Sequence, residues 1–120
     1  MIRGRAKKDK KTKNLINRLA PNDIAVIHHK DLDEIAAIQL RDKKVKAVVN
    51  AAPSISGRYP NRGPEILCSA GIPIIDSVGE EVFDRINDND LLEITEENMF
   101  VNNTFLCKIN ILTEDEVRRK

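Results

Sequence analysis

Three stretches of this chain are almost wholly apolar: residues 24–27 (IAVI), 45–49 (VKAVV) and 72–75 (IPII). Runs this short, bounded by polar residues and rich in Val and Ile, read as buried strands. Between them the apolar residues change period. Leu32, Ile35, Ala36 and Leu40 recur at helical spacing behind Asp31, which is read as an N-cap. Upstream, Leu15, Ile16 and Leu19 do the same behind Thr12, with Pro21 just beyond the helix end. Pro64 suits the first turn of a helix running to Ala70, and Gly71 suits its C-terminal cap.

Ser77 and Glu80 have the spacing of a capping box, which opens a helix turning Val82, Phe83 and Ile86 inward. Residues 91–95, 98–101 and 104–111 read as strands. The last two are hinged at Asn102-Asn103, a pair that tolerates the positive φ of a tight hairpin. Residues 2–7 are read as a short edge strand, ahead of a charged turn at 8–11. Strands alternating with helices, then an antiparallel hairpin, predict a single α/β domain with a mixed sheet. Thr113 with Glu116 starts one more capped helix, which has barely begun when the sequence stops at Lys120. The expectation is a fragment of a longer protein: a basic segment at 1–20, the α/β domain at 21–112, and a helix from 113 toward a following domain.

Composition narrows the class. With 120 residues, 3% aromatic and no Trp, the core has to come from Ile, Val, Leu and Ala. No apolar run approaches the ~20 residues that span a bilayer. The basic start lacks the apolar segment of a signal peptide, so a cytoplasmic location without direct membrane insertion is expected. Cys68 and Cys107, far apart and among apolar neighbours, are read as buried reduced thiols in preference to a disulfide or metal pair. Net charge is only +1, but residues 1–18 carry eight Lys or Arg against Asp9, while residues 76–99 carry nine Asp or Glu against Arg85. Two readings fit: a basic arm for phosphate-rich partners, or two ends that neutralise each other. No aromatics are interleaved with the basic residues, which argues against nucleic acid.

Candidate chemistry concentrates between Asn50 and Pro64. A connection needs roughly 2–6 residues, and this one is longer. It holds Ser54, Ser56, Gly57, Arg58, the single tyrosine Tyr59, Asn61 and Arg62. Arg58 and Arg62 offer forked donors for phosphate or carboxylate, the serines and Asn61 add neutral donors, and Gly57 and Gly63 permit close backbone approach. A nucleotide or other phosphorylated ligand is the class these groups suit, with Asn50 at the loop's start included in the set. The alternative is a loop whose arginines tie down its own carbonyls or dock a neighbouring domain. His28 and His29 are adjacent at a strand end, point to opposite faces, and so cannot share one metal ion. No histidine is suggested by sequence as a base for Ser54 or Ser56, and no catalytic residue or metal site is assigned.

Two resemblances follow from particular residues. Pro21-Asn22-Asp23-Ile24, Ala70-Gly71-Ile72-Pro73 and Asn89-Asp90-Leu91 resemble landmarks of the swivelling β/β/α domain, the mobile phosphohistidine domain of phosphoenolpyruvate-utilising enzymes. That family's histidine falls in the segment matching Asn61-Arg62-Gly63, where this chain has none. The resemblance therefore implies the fold without the phosphotransfer. GRAKKDKKTKNLINRL (4–19), NDIAVIHHKDLD (22–33) and above all VVNAAPSISGRYPNRGPEIL with AGIPIID (48–76) resemble the N-terminal domain of the SteA family. These are bacterial cytokinetic-ring proteins with a thiamin pyrophosphokinase-like middle domain and a C-terminal membrane segment. The resemblance implies a non-catalytic ligand-sensing or docking domain, no cofactor in this segment, and as partners the following kinase-like domain and a cell-division membrane protein. Its rivals are a share in that domain's nucleotide or pyrophosphate site, and a purely structural interaction domain.

Overall fold

The structure is a computed structural model that describes residues 1–57 and 62–119. In chain order the elements are β1 (Ile2–Lys8), α1 (Thr12–Ile16), β2 (Ile24–Ile27), α2 (Glu34–Asp42), β3 (Ala47–Asn50), α3 (Gly63–Ser69), β4 (Ile74–Asp76), α4 (Glu80–Arg85), β5 (Leu91–Ile94), β6 (Asn98–Val101), β7 (Thr104–Lys108), β8 (Asn110–Ile111) and α5 (Glu114–Arg119). They build one mixed eight-stranded sheet in the order β7-β6-β5-β1-β2-β3-β4-β8. Strands β1 to β4 are parallel, and antiparallel pairings join β5 to β1 and β8 to β4.

The N-terminal strand is not at an edge. β1 pairs with β2 on one side and with β5 on the other, so it sits in the middle of the sheet. Its alternation explains how a basic strand gets there: Gly4 and Ala6 face inward, while Arg3, Arg5 and Lys7 face away. Of these outward cations Arg3 meets Glu93 of the acidic segment at 3.8 Å, and Lys10, just beyond the strand, meets Glu80 at 3.2 Å. Arg18 completes the set against Asp88 at 2.5 Å and Asp9 at 3.9 Å. Three cations of the basic stretch, Arg3, Lys10 and Arg18, thus pair with carboxylates of the acidic stretch within the chain. Lys7 also lies 4.0 Å from Asp23.

Strand 104–111 is in fact two. Ile109 gives its N–H to Glu97 O, and the chain then leaves β7 for β8 at the other end of the strand order. One intervening residue spans about 7 Å at most, so the two ends of the sheet must come close together. The sheet curls round a core of Val26, Val49, Ile75, Leu92, Ile94 and Met99, with Phe83 and Ile86 of α4 packed into it. On the outer side of β2–β4, Ala25, Ile27, Val48 and Ile74 carry α1, α2 and α3 through Leu15, Leu40 and Leu67. Every residue of β2 and β3 is buried because each strand is covered on both faces.

Three caps differ from expectation. Asp33, not Asp31, caps α2, its Oδ1 accepting Ala36 N–H at 2.7 Å; Asp31 sits at φ 53° and is used elsewhere. Lys11 rather than Thr12 occupies the N-cap of α1, and the Thr12 hydroxyl turns to His29. Ser77 makes no capping box: at φ 53° its hydroxyl bonds Asp76, and Gly79 opens α4. The end of α3 does follow the pattern, with Gly71 at φ 75° and Ile72 N–H bonding Leu67 O. The Asn102-Asn103 hairpin does too, with both residues at positive φ.

Candidate functional site

In an open α/β sheet, ligands bind beyond the carboxyl ends of the parallel strands. Here those ends carry Ile27-His28-His29 on β2, Asn50-Ala51 on β3 and Asp76-Ser77 on β4. The long loop leaves from the middle of the three. Its first half is largely internal: Ala51, Ala52, Ser54 and Ile55 are buried, and only Pro53 between them is exposed.

What holds it is a polar network built from both neighbouring strands. Asn50 is 0% exposed, and its amide is used in full. Oδ1 accepts His29 N–H at 3.0 Å and Ala52 N–H at 3.1 Å, while Nδ2 donates to His29 O at 2.9 Å and Ser54 Oγ at 2.8 Å. Two donors and two lone pairs are all that an asparagine side chain has. From β4, Asp76 Oδ1 takes the backbone N–H of Ser54 at 2.9 Å. From the turn after β2, Asp31 takes both donors of Ser56, the N–H at 2.7 Å and the hydroxyl at 2.8 Å. Asn50, Ser54 and Ser56, ligand contacts on the sequence pattern, instead spend these polar atoms on clamping the loop. No side-chain polar atom buried here lacks a partner among the described residues.

Beyond Ser56 the loop changes character. Gly57 stands at φ 84° with open space around it, a conformation that suits glycine. Arg58, Tyr59 and Asn61 lie outside the described residues. The chain returns at Arg62, whose backbone forms the N-cap position of α3. Gly63 follows, so close to the α2 entry that a methyl group would collide with Leu32 O and stand 2.7 Å from Asp33 O. Its close approach is therefore to the protein's own backbone. Arg62 is exposed and, with Arg41, Glu65 and Ile66, borders an open depression of about 260 Å³ between α2 and α3. Among the described residues its guanidinium makes no hydrogen bond or ion pair, whereas Arg41 reaches Asp42 at 3.3 Å.

A second polar cluster was missed from sequence. The His29 ring lies between α1 and α2, with Nδ1 2.9 Å from Thr12 Oγ1 and Nε2 3.4 Å from Asp33 Oδ2. The three residues border a hollow of about 320 Å³, together with Lys13, Ile35, Ala36 and Gln39. His29 and Asp33 are four residues apart, a spacing visible in the sequence; Thr12 is seventeen away, and nothing local links it to them. His28 turns the other way as expected, its ring edge-on to Phe83 at 5.8 Å, and Lys8 Nζ sits 4.9 Å from the same phenyl ring. Among the described residues no group of His, Cys, Asp and Glu is arranged to hold a metal ion.

No protein-family model matches this chain, and no curated protein matches it. Among solved structures it is similar to 3-isopropylmalate dehydratase (LeuD) of Methanocaldococcus jannaschii, over 93% of this chain and 81% of that one, at 17% identity and a TM-score of 0.49.

Proposed function

We propose that this chain is a non-catalytic docking and ligand-sensing domain of a SteA-like cell-division protein, working through loop 52–64. The observation that supports this reading most is the division of labour within the loop. Asp31, Asn50 and Asp76 grip its first half from three directions. The gripped half has few polar atoms left for a ligand, and the recognition chemistry falls to Arg58, Tyr59, Asn61 and Arg62. The gripped half, already held, adds little to the conformational entropy lost on binding. Forked guanidinium donors then recognise a carboxylate or phosphate on the partner. With Asn50, Ser54 and Ser56 used internally, docking against an anionic surface is favoured over full enclosure of a small nucleotide. The partners under this reading are the following kinase-like domain and a cell-division membrane protein.

The test is a titration of the isotope-labelled chain, watched by amide shifts, with inorganic pyrophosphate, a nucleotide, thiamin diphosphate and the following domain. Saturable shifts centred on residues 56–63 that vanish in an Arg58→Ala, Arg62→Ala double variant support the reading. Shifts elsewhere, or an unaltered response in the double variant, reject it.

A further inference from the structure

We infer that Thr12, His29 and Asp33 form a nucleophilic hydroxyl site that accepts the acyl group of small, activated carboxylic esters, independently of the loop's docking role. An alcohol becomes a useful nucleophile when a base stands within hydrogen-bond reach and a third group orients that base. The first is a hydrogen bond, 2.9 Å from Thr12 Oγ1 to His29 Nδ1, and the second an ion-pair contact, 3.4 Å from His29 Nε2 to Asp33 Oδ2. In the tautomer that places its proton on Nε2, facing the carboxylate, Nδ1 is left to accept from the hydroxyl.

Each member is held from elsewhere. The Asn50 amide bonds both the N–H and the C=O of His29, which fixes the backbone that carries the ring. Asp33 is held by capping α2 through its other oxygen, Oδ1. Thr12 is held by burial, only 5% exposed at the edge of the hollow, while Lys11 occupies the N-cap position of α1. Beside the three, Ile35 (72% exposed) and Ala36 give the hollow an apolar wall, and Lys13 and Gln39 give it a polar rim. A short aliphatic acyl group fits such a space.

In the reaction, Thr12 Oγ1 bonds the ester carbonyl carbon while its proton passes to Nδ1. The carbon–oxygen bond to the leaving group then breaks, and that alkoxide or phenoxide takes the proton from Nδ1. Water repeats the sequence on the acyl-threonine, yielding the carboxylic acid and the free hydroxyl. No oxidant or metal enters. Asp33 is a positioning residue, and because its carboxylate lies largely in solvent the gain is set at the low end of general-base catalysis, about 10²-fold.

The experiment incubates the full chain with p-nitrophenyl acetate, follows nitrophenolate release, and locates the acetyl group by peptide mass spectrometry. Acetyl on Thr12 is expected, with release falling about 10²-fold in Thr12→Val and His29→Asn and kept in Thr12→Ser. Asp33→Ser preserves an N-cap side chain while removing the charge, so its melting point should stay near the parent's. Its rate constant should fall several-fold at an unchanged half-saturating ester concentration. Acetyl confined to Lys13 or other amines, or equal rates in parent, Thr12→Val and His29→Asn, overturns the proposal. If His29→Asn fails to fold, the Thr12→Val and Thr12→Ser pair decides alone.

Discussion

The buried amide of Asn50 donates to the hydroxyl of Ser54, 2.8 Å away, and through this bond the end of β3 holds the loop that follows it. The same side chain bonds both backbone groups of His29 on the neighbouring strand. One residue therefore joins the clamped loop to the α1–α2 cluster.

Replacing Asn50 with Ala should orphan the N–H groups of His29 and Ala52 together with the carbonyl of His29. Each unpaired buried group costs about 1–3 kcal/mol. Urea unfolding should show a midpoint well below the parent's, with the slope unchanged. A variant within about 0.5 kcal/mol of the parent would mean that water takes over the network.

Gly63→Ala and Gly71→Ala separate two uses of glycine. At Gly63 the methyl meets the carbonyls of Leu32 and Asp33, so the α2–α3 contact has to open. At Gly71 the space is open and only the positive φ is strained. The first should cost about 1–3 kcal/mol and the second about 1 kcal/mol. Melting temperatures in the reverse order would show that the α2–α3 contact yields readily to an added methyl group.

Asp88 contributes to the acid side of the stability profile. Partial burial acts to raise its pKa, but the Lys8 N–H and the Arg18 guanidinium outweigh that, and the carboxyl is held below its ordinary 3.8. A lowered folded-state value means the contribution is complete above about 3.8 and is lost as pH falls through the folded value. Parent stability should therefore decline more steeply below about pH 4 than that of Asp88→Asn. Parallel curves for the two would show that other carboxyls set the acid limit.

Arg62→Ala should melt close to the parent, within about 0.5 kcal/mol, while losing roughly 1.5–3 kcal/mol of binding to an anionic partner. Arg58→Ala is expected to behave alike. Early melting with unchanged binding would make these arginines internal struts.

Cys107 should be slow to alkylate at neutral pH. Burial pushes its thiol up from 9.0, and Arg85 offsets this only in part. Iodoacetamide labelling followed by peptide mapping gives the rate; labelling at the speed of a free thiol would contradict the half-buried setting.

The apolar runs at β2, β3 and β4 marked buried strands, the helical period behind the first marked α2, and Pro64 with Gly71 marked α3; α4 was marked with its apolar residues inward, though by a capping box that does not form. Pro64, Gly71 and the Asn102-Asn103 pair marked their own backbone turns, because φ preference belongs to a residue and its neighbours. The class of fold and the place of the long loop were therefore legible without coordinates. The central position of β1 was not, since strand order depends on partners some twenty and ninety residues away (β2 and β5), and no local pattern encodes them. Nor was the break at Ile109, which follows from the curling of the sheet. The roles of Asp31, Asn50 and Asp76, and the meeting of Thr12 with His29, were likewise decided in tertiary space. A serine or asparagine has the same donors whether it faces a ligand or its own chain, and only the fold says which one stands within hydrogen-bond reach.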